Sequence, residues 1–316
     1  MGLSDKYKEA WTALIAPERY TYDKGVFGPK YQFYDNQQVT MEEFRIRNQE
    51  GFMIEGNVWY PTQAQQEPTN FVIYLHTRGG CRLEGLFLEK VMLPKMGLVL
   101  FDFAGSGYSE GEYITLGAKE SKDIRLVIDH LIKNYNVGKI VLWGRSMGAV
   151  AAILYAQDKE NQDLIDGLIL DSPFSSFRKM IYDVISSKVK LPTCLIDVVL
   201  YFLLKTIKKK TGVALNEIKP IKLVSNIRVP GFFLVCKDDV IAKPDKVKDL
   251  YVNYGCKLKE FHLIPGEHQT SRENKVIVSA IYFMLKCFDV SSSPRNKQKR
   301  EGRFSGIMSS NYALNQ

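Results

Sequence analysis

Five residues near the middle of the chain, Gly144-Arg145-Ser146-Met147-Gly148, have the types and spacing that could turn a serine hydroxyl into a nucleophile. The apolar, β-branched run before them predicts a strand, and the small residues after them predict a helix. A glycine on each side of the serine permits a very tight turn, which exposes the hydroxyl at the end of the sheet. An ordinary strand-to-helix turn with an incidental serine is the alternative. We interpret Ser146 as a nucleophile that needs a base.

The chain contains four histidines that could serve as that base: His76, His130, His262 and His268. His76 ends a predicted strand, His130 falls within a predicted helix, and His262 falls within another strand. Only His268 follows the last predicted strand in a polar loop, as an exposed and mobile base should. A serine, then an acid at a strand end, then a histidine is also the order used by one class of serine hydrolases. We therefore predict that His268 is the base.

Two adjacent carboxylates, Asp238 and Asp239, follow the predicted strand at residues 231–236. Either could accept a hydrogen bond from the imidazole, fix its tautomer and stabilise the imidazolium. We favour Asp238, because two apolar residues after Asp239 would anchor the loop. An ordinary acidic turn is the alternative interpretation.

A serine nucleophile also requires two backbone N–H groups directed at the negative charge that develops on the substrate oxygen. We expect one from Met147, the residue after the nucleophile. The other should come from the loop after the predicted strand at residues 71–76, and we favour Arg78.

The elements that must position these residues alternate along the chain. Apolar runs of strand length occur at residues 71–76, 97–102, 139–143, 167–171, 231–236 and 258–263. Helical patterns separate most of them, and residues 41–60 have the alternation of a hairpin. Such alternation predicts an α/β fold with a mostly parallel, doubly wound sheet that is covered on both faces.

Three segments depart from this alternation. Residues 1–40 are polar and aromatic and predict a short helix followed by an irregular strap on the sheet edge, before a main domain at 41–290. Residues 174–222 predict a helical cap over the site, because insertions after a strand's carboxyl end lie over the ligand face of such sheets. Its apolar stretch at 195–207 is too short to cross a bilayer, but it allows weak contact of the cap with a membrane surface. Residues 291–316 predict a basic, disordered tail.

Composition excludes several classes of protein. The net charge is +8, of which residues 291–316 supply +4, and no nucleic-acid module is recognisable, so we expect no nucleic-acid partner. The five cysteines are scattered and lack C-x-x-C spacing, which argues for free thiols and against a disulfide framework or a zinc site. The first residues contain no apolar stretch, so we expect no signal peptide and a cytoplasmic location.

Together these motifs resemble the α/β-hydrolase superfamily, and most closely the serine aminopeptidase (S33)-type and α/β-hydrolase domain proteins. The resemblance covers about residues 40–288 and rests on the segments 76–82, 102–109, 142–149, 171–174, 237–244 and 266–272. Two departures stand out. His76 is followed by Thr77 where a glycine is common, and the loop at residues 240–244 has one extra residue before its proline.

The resemblance implies hydrolysis of an ester, thioester or amide through an acyl-enzyme, with no metal or cofactor. Combined with the apolar cap, it favours a small-molecule acyl ester or thioester as the substrate. One alternative is an S33-type aminopeptidase, which would need carboxylates in the cap to hold the free amine. Another is a non-catalytic binding module that uses the hydrolase fold.

Overall fold

A single nine-stranded sheet organises the computed structural model, which describes residues 2–63, 67–188 and 192–290. Its strands are β1 (Tyr31–Tyr34), β2 (Gln37–Arg47), β3 (Met53–Pro61), β4 (Thr69–Leu75), β5 (Gly97–Phe101), β6 (Val137–Arg145), β7 (Gly167–Asp171), β8 (Gly231–Cys236) and β9 (Lys259–Ile264). They lie in the order β1-β2-β3-β5-β4-β6-β7-β8-β9. The antiparallel pairs are β1–β2, β2–β3 and β3–β5. The parallel pairs are β5–β4, β4–β6, β6–β7, β7–β8 and β8–β9. The predicted, mostly parallel sheet is confirmed.

Helices connect the strands and cover the sheet. They are α1 (Leu3–Ile15), α2 (Glu89–Met92), α3 (Glu120–Asn134), α4 (Met147–Tyr155), α5 (Lys159–Gln162), α6 (Phe177–Lys188), α7 (Thr193–Thr211), α8 (Pro244–Asn253) and α9 (Asn274–Val290). Short 3₁₀ helices occupy Lys24–Phe27, Arg82–Leu88, Leu215–Glu217, Pro220–Lys222 and Val224–Asn226.

Two apolar clusters lie on opposite faces of the sheet. Along β4, Phe71 and Ile73 belong to one cluster, whereas Val72 and Tyr74 belong to the other. This is the period of two expected of a strand. α3 and α4 pack into the first cluster, and α9 packs into the second. Every residue of β5, β7 and β8 is buried, which explains their continuous apolar runs.

The first strands extend the sheet further than the sequence suggested. Residues 31–34 and 37–40, expected to be part of an irregular strap, belong to the antiparallel pair β1 and β2. Asp35 and Asn36 join the two strands with φ values of 46° and 61°. A two-residue turn with positive φ at both positions matches the right-handed twist of a hairpin, and Asp and Asn tolerate it well.

The segment between β7 and β8 contains α6, α7 and three short 3₁₀ helices. α7 packs inward through Ile196, Leu200, Leu203 and Ile207. α1 lies beside it, since the Tyr7 hydroxyl donates to the Phe202 carbonyl at 2.9 Å. Within the described residues, no helix has the length and apolarity needed to cross a membrane. The tail predicted at residues 291–316 lies outside the described residues.

Candidate active site

Ser146 occupies the sharp turn between β6 and α4. Its backbone has φ 52° and ψ −114°, a conformation that costs a residue with a side chain of order 1–3 kcal/mol. The two motif glycines are required by close approach. A Cβ on Gly144 would lie 2.5 Å from the Gly148 backbone, and one on Gly148 would lie 2.1 Å from the Leu75 carbonyl oxygen. The Ser146 N–H donates to the Asp171 carbonyl at 2.7 Å, which ties the turn to the end of β7.

A chain of hydrogen bonds connects Ser146 to a histidine and an aspartate. The Ser146 Oγ lies 2.9 Å from His268 Nε2, and His268 Nδ1 lies 2.6 Å from Asp239 Oδ2. Because an ionised carboxylate only accepts, His268 Nδ1 carries the proton and donates it to Asp239. Nε2 is then left with a lone pair facing the serine hydroxyl. This arrangement can remove a proton from Ser146.

The carboxylate in this chain is Asp239, which corrects the sequence-based preference for Asp238. β8 ends at Cys236, and the Asp239 N–H donates back to the Cys236 carbonyl, so the chain turns before Asp239. The turn leaves Asp238 exposed and directs Asp239 into the protein. Asp239 Oδ1 accepts from the backbone N–H groups of Ile241 and Ala242 at 2.9 and 2.7 Å, which fixes the carboxylate.

The other histidines have different surroundings. His76 is fully buried, and its Nε2 accepts from the Phe103 N–H at 3.0 Å. Its Nδ1 therefore carries the proton and donates to the Thr77 carbonyl at 2.8 Å, which makes His76 a structural link between two loops. His262 stacks on the ring of Phe232, and His130 lies within α3.

The two residues predicted to supply oxyanion N–H groups lie at a helix start and in a neighbouring loop. Met147 is the first residue of α4, where backbone N–H groups have no partner within the helix. Arg78 follows β4, and its guanidinium donates to the Ala13 carbonyl of α1. Beside it, Glu84 accepts from the Thr77 N–H at 3.0 Å and from the Thr77 hydroxyl at 2.6 Å. A side chain at position 77, where the resemblance leads one to expect glycine, thus anchors this loop.

A buried ion pair holds the loop that carries His268, and sequence reasoning did not identify it. The Arg272 guanidinium donates to both oxygens of Asp171 at 2.8 Å, and both side chains are less than a tenth exposed. Burial lowers the pKa of Arg272, but the hydrogen bond and charge of Asp171 outweigh it and leave that pKa above its usual value. The Arg145 guanidinium donates to the carbonyls of His268 and Thr270 at 2.9 and 3.2 Å. The two arginines fix the position of the imidazole.

Metal ligands do not cluster in the part of the chain that the structure describes. Among those residues, no three His, Cys, Asp or Glu side chains come close enough to hold an ion together. The cysteines at positions 81, 194, 236, 256 and 287 are all free thiols.

Comparison with known proteins gives one family match and several more distant similarities. Residues 81–211 match the family model of serine aminopeptidase, S33. The uncharacterized protein YqkD of Bacillus subtilis is 28% identical over 228 residues, which are 69% of this chain and 72% of YqkD. The α/β-hydrolase domain-containing protein WAV2 of Arabidopsis thaliana is 25% identical over 232 residues, 70% of each chain. The esterase Pf2001 of Pyrococcus furiosus superposes with a TM-score of 0.65 at 19% identity, covering 87% of this chain and 98% of the esterase.

Proposed function

Because this chain belongs to the α/β-hydrolase superfamily, we propose that it is a serine hydrolase that cleaves carboxylic esters or thioesters through an acyl-enzyme. The observation that carries the proposal is the continuous hydrogen-bonded chain from Ser146 through His268 to Asp239. A serine hydroxyl becomes a useful nucleophile when a histidine accepts its proton and an acid orients the histidine.

In the proposed mechanism, Ser146 Oγ attacks the substrate carbonyl carbon while His268 Nε2 takes the hydroxyl proton. The backbone N–H groups of Met147 and Arg78 stabilise the resulting oxyanion. His268 then gives the proton to the leaving alcohol or thiol, and the acyl group remains on Ser146. A water molecule repeats the attack with His268 as its base, which releases the carboxylic acid and restores the serine. Asp239 stays ionised throughout and stabilises the imidazolium.

Charge pairing in the segment between β7 and β8 favours an ester or thioester over an aminopeptidase substrate. An aminopeptidase needs an unpaired carboxylate to hold the free amine. The acidic residues of residues 174–222 are Asp183, Asp197 and Glu217. Each already contacts a basic side chain, with N–O distances of 3.1, 2.9 and 3.2 Å to Lys243, Arg178 and Lys219, respectively.

Labelling with a fluorophosphonate probe tests the proposal, because the probe reacts with activated serines. We expect the wild type to be labelled, Ser146→Ala to show no labelling, and His268→Ala to be labelled far more slowly. Circular dichroism of each variant checks that it is folded. A series of p-nitrophenyl esters of increasing chain length, with matching thioesters and aminoacyl amides, then compares the substrate classes. Folded wild type that is not labelled would contradict the proposal and favour a binding module.

A further inference from the structure

Helix α7 exposes apolar side chains on the side that faces away from the protein. Its buried side consists of Ile196, Leu200, Leu203 and Ile207. Large apolar side chains that are about half exposed follow one another along its first three turns: Leu195 at 51%, Val198 at 53%, Val199 at 49%, Tyr201 at 61% and Phe202 at 54%. Five such residues on one helix form a contiguous patch, and patches of this kind on soluble proteins mark interaction sites.

Helical geometry places the exposed apolar residues of α7 on one side of the helix, away from its buried side. With about 100° of rotation per residue, the buried residues are centred roughly opposite to Val198, and the exposed apolar residues lie on either side of Val198. Lys205 and Lys209 project in nearly the same direction, because they are seven and eleven residues after Val198. We call residues 195, 198, 199, 201, 202, 205 and 209 the outer face of α7. Its first part is apolar and its last part is basic.

The lysines at the C-terminal end of α7 can be explained without a ligand, whereas the exposed apolar residues cannot. Cations near a helix C-terminus complement the helix dipole, and Lys208, Lys209 and Lys210 occupy the last turn of α7. The dipole, however, gives no reason for Val198 and Phe202 to face water. A ligand of the outer face must therefore accept apolar side chains, and the charge of Lys205 and Lys209 favours one that bears negative charge beside them.

We propose that the outer face of α7 docks on the surface of an anionic lipid bilayer. A helix with apolar side chains beside lysines lies in the membrane interface, where apolar groups enter the acyl boundary and cations meet anionic headgroups. A second copy of the chain fits less well. Parallel pairing of two outer faces would bring lysines together, and antiparallel pairing would place lysines over apolar side chains.

The segment that contains α7 begins at the strand end beside the proposed active site. α7 belongs to the segment that leaves the carboxyl end of β7 at Asp171. The carbonyl of Asp171 accepts from the Ser146 N–H, so this strand end lies beside the candidate nucleophile. The docking surface does not depend on the proposed chemistry, and each can fail without the other.

Vesicle sedimentation tests the docking surface with the full chain. We expect the wild type to sediment with phosphatidylcholine vesicles that contain phosphatidylserine, and far less with phosphatidylcholine alone. Val198→Ser with Phe202→Ser should weaken binding to the mixed vesicles at least about tenfold, because the apolar part is removed. Lys205→Glu with Lys209→Glu should also weaken binding at least about tenfold, because the two reversals replace attraction to the anionic headgroups with repulsion.

Matched substitutions elsewhere on the surface serve as controls. Phe33→Ser removes a side chain that is 72% exposed on β1, and Lys248→Glu with Lys257→Glu makes the same charge change at exposed positions on and after α8. These variants should bind as the wild type does, and circular dichroism confirms that every variant folds. Wild type that does not sediment with the mixed vesicles overturns the proposal. Equal losses in the control variants also overturn it, as does a dimer in solution that the α7 substitutions dissociate.

Discussion

The assignment of Asp239 as the orienting acid makes a sharp prediction for its replacement by asparagine. In the wild type, Asp239 Oδ1 accepts two backbone N–H groups, and Oδ2 accepts from His268 Nδ1. In Asp239→Asn, the amide oxygen keeps the two backbone donors, so the amide NH2 faces His268. His268 Nδ1 must then accept a hydrogen bond, and the ring proton moves to Nε2. The imidazole presents a proton to Ser146 and can no longer remove one.

The expected loss follows from this change of tautomer. Where an asparagine replaces the aspartate of a known serine protease triad, kcat falls about 10⁴-fold with the geometry intact. The same geometry here predicts a loss of about 10⁴-fold, which corresponds to about 5.5 kcal/mol at 1.36 kcal/mol for each factor of ten. The oxyanion N–H groups belong to the backbone and are unaffected, so a small residual rate should persist.

Asp238→Asn provides a matched control one residue away. Asp238 is exposed, and its backbone N–H, which donates to the Gly266 carbonyl at 2.9 Å, is unchanged by the substitution. We expect its rate to remain within about twofold of the wild type. The rate of fluorophosphonate labelling and the turnover of a p-nitrophenyl ester measure both variants. If Asp239→Asn keeps more than about a tenth of the rate, or if Asp238→Asn loses more than Asp239→Asn, the tautomer argument is refuted.

Two further predictions concern stability. Arg272→Met leaves the Asp171 carboxylate buried without its main partner and should lower the free energy of unfolding by about 3–5 kcal/mol in urea titrations. Arg178→Met breaks the exposed pair with Asp197 and should lower the free energy of unfolding by at most about 1 kcal/mol. Equal losses of stability in the two variants would contradict the expectation that the buried pair contributes more. Burial raises the pKa of Asp123 to about 7, so this carboxyl holds a proton in the folded chain that the unfolded chain releases above about pH 4. The stability that this protonated carboxyl contributes is complete below about pH 4, declines as the pH rises and is lost above about pH 7. The free energy of unfolding should decrease by at most about 4 kcal/mol over this range. In urea titrations from about pH 5 to 8, the free energy of unfolding should decrease less in Asp123→Asn than in the wild type. An equal decrease in both proteins would refute the role of Asp123.

The sequence predicted those features that depend on neighbouring residues. Buried parallel strands have continuous apolar runs, and such a run at residues 167–171 coincides with β7. The turn at Ser146 requires glycines at fixed positions on both sides, so its local pattern indicates its shape. The pairing of β1 with β2 had a local signal as well, because Asp35-Asn36 lies between two runs of strand length.

Features that depend on the exact end of a strand or on distant residues could not be predicted. Whether Asp238 or Asp239 faces inward is decided by a turn that begins at Cys236, and moving that turn by one residue would exchange their roles. The pair between Arg272 and Asp171 joins residues 101 positions apart, and nothing in either neighbourhood indicates the partner. The exposed side of α7 also required the structure, because an apolar helix alone does not reveal which side faces inward.

The distance in sequence between Ser146 and its proposed base, His268, has a consequence for the protein as it is synthesised. The two residues are 122 positions apart, and the histidine follows β9, which is the edge strand of the sheet. At about 5–20 residues per second, a ribosome needs roughly 6–24 s to proceed from the serine to the histidine. Throughout that interval the candidate nucleophile lacks its proposed base. The nascent chain is therefore without its proposed activity until its ninth strand has joined the sheet.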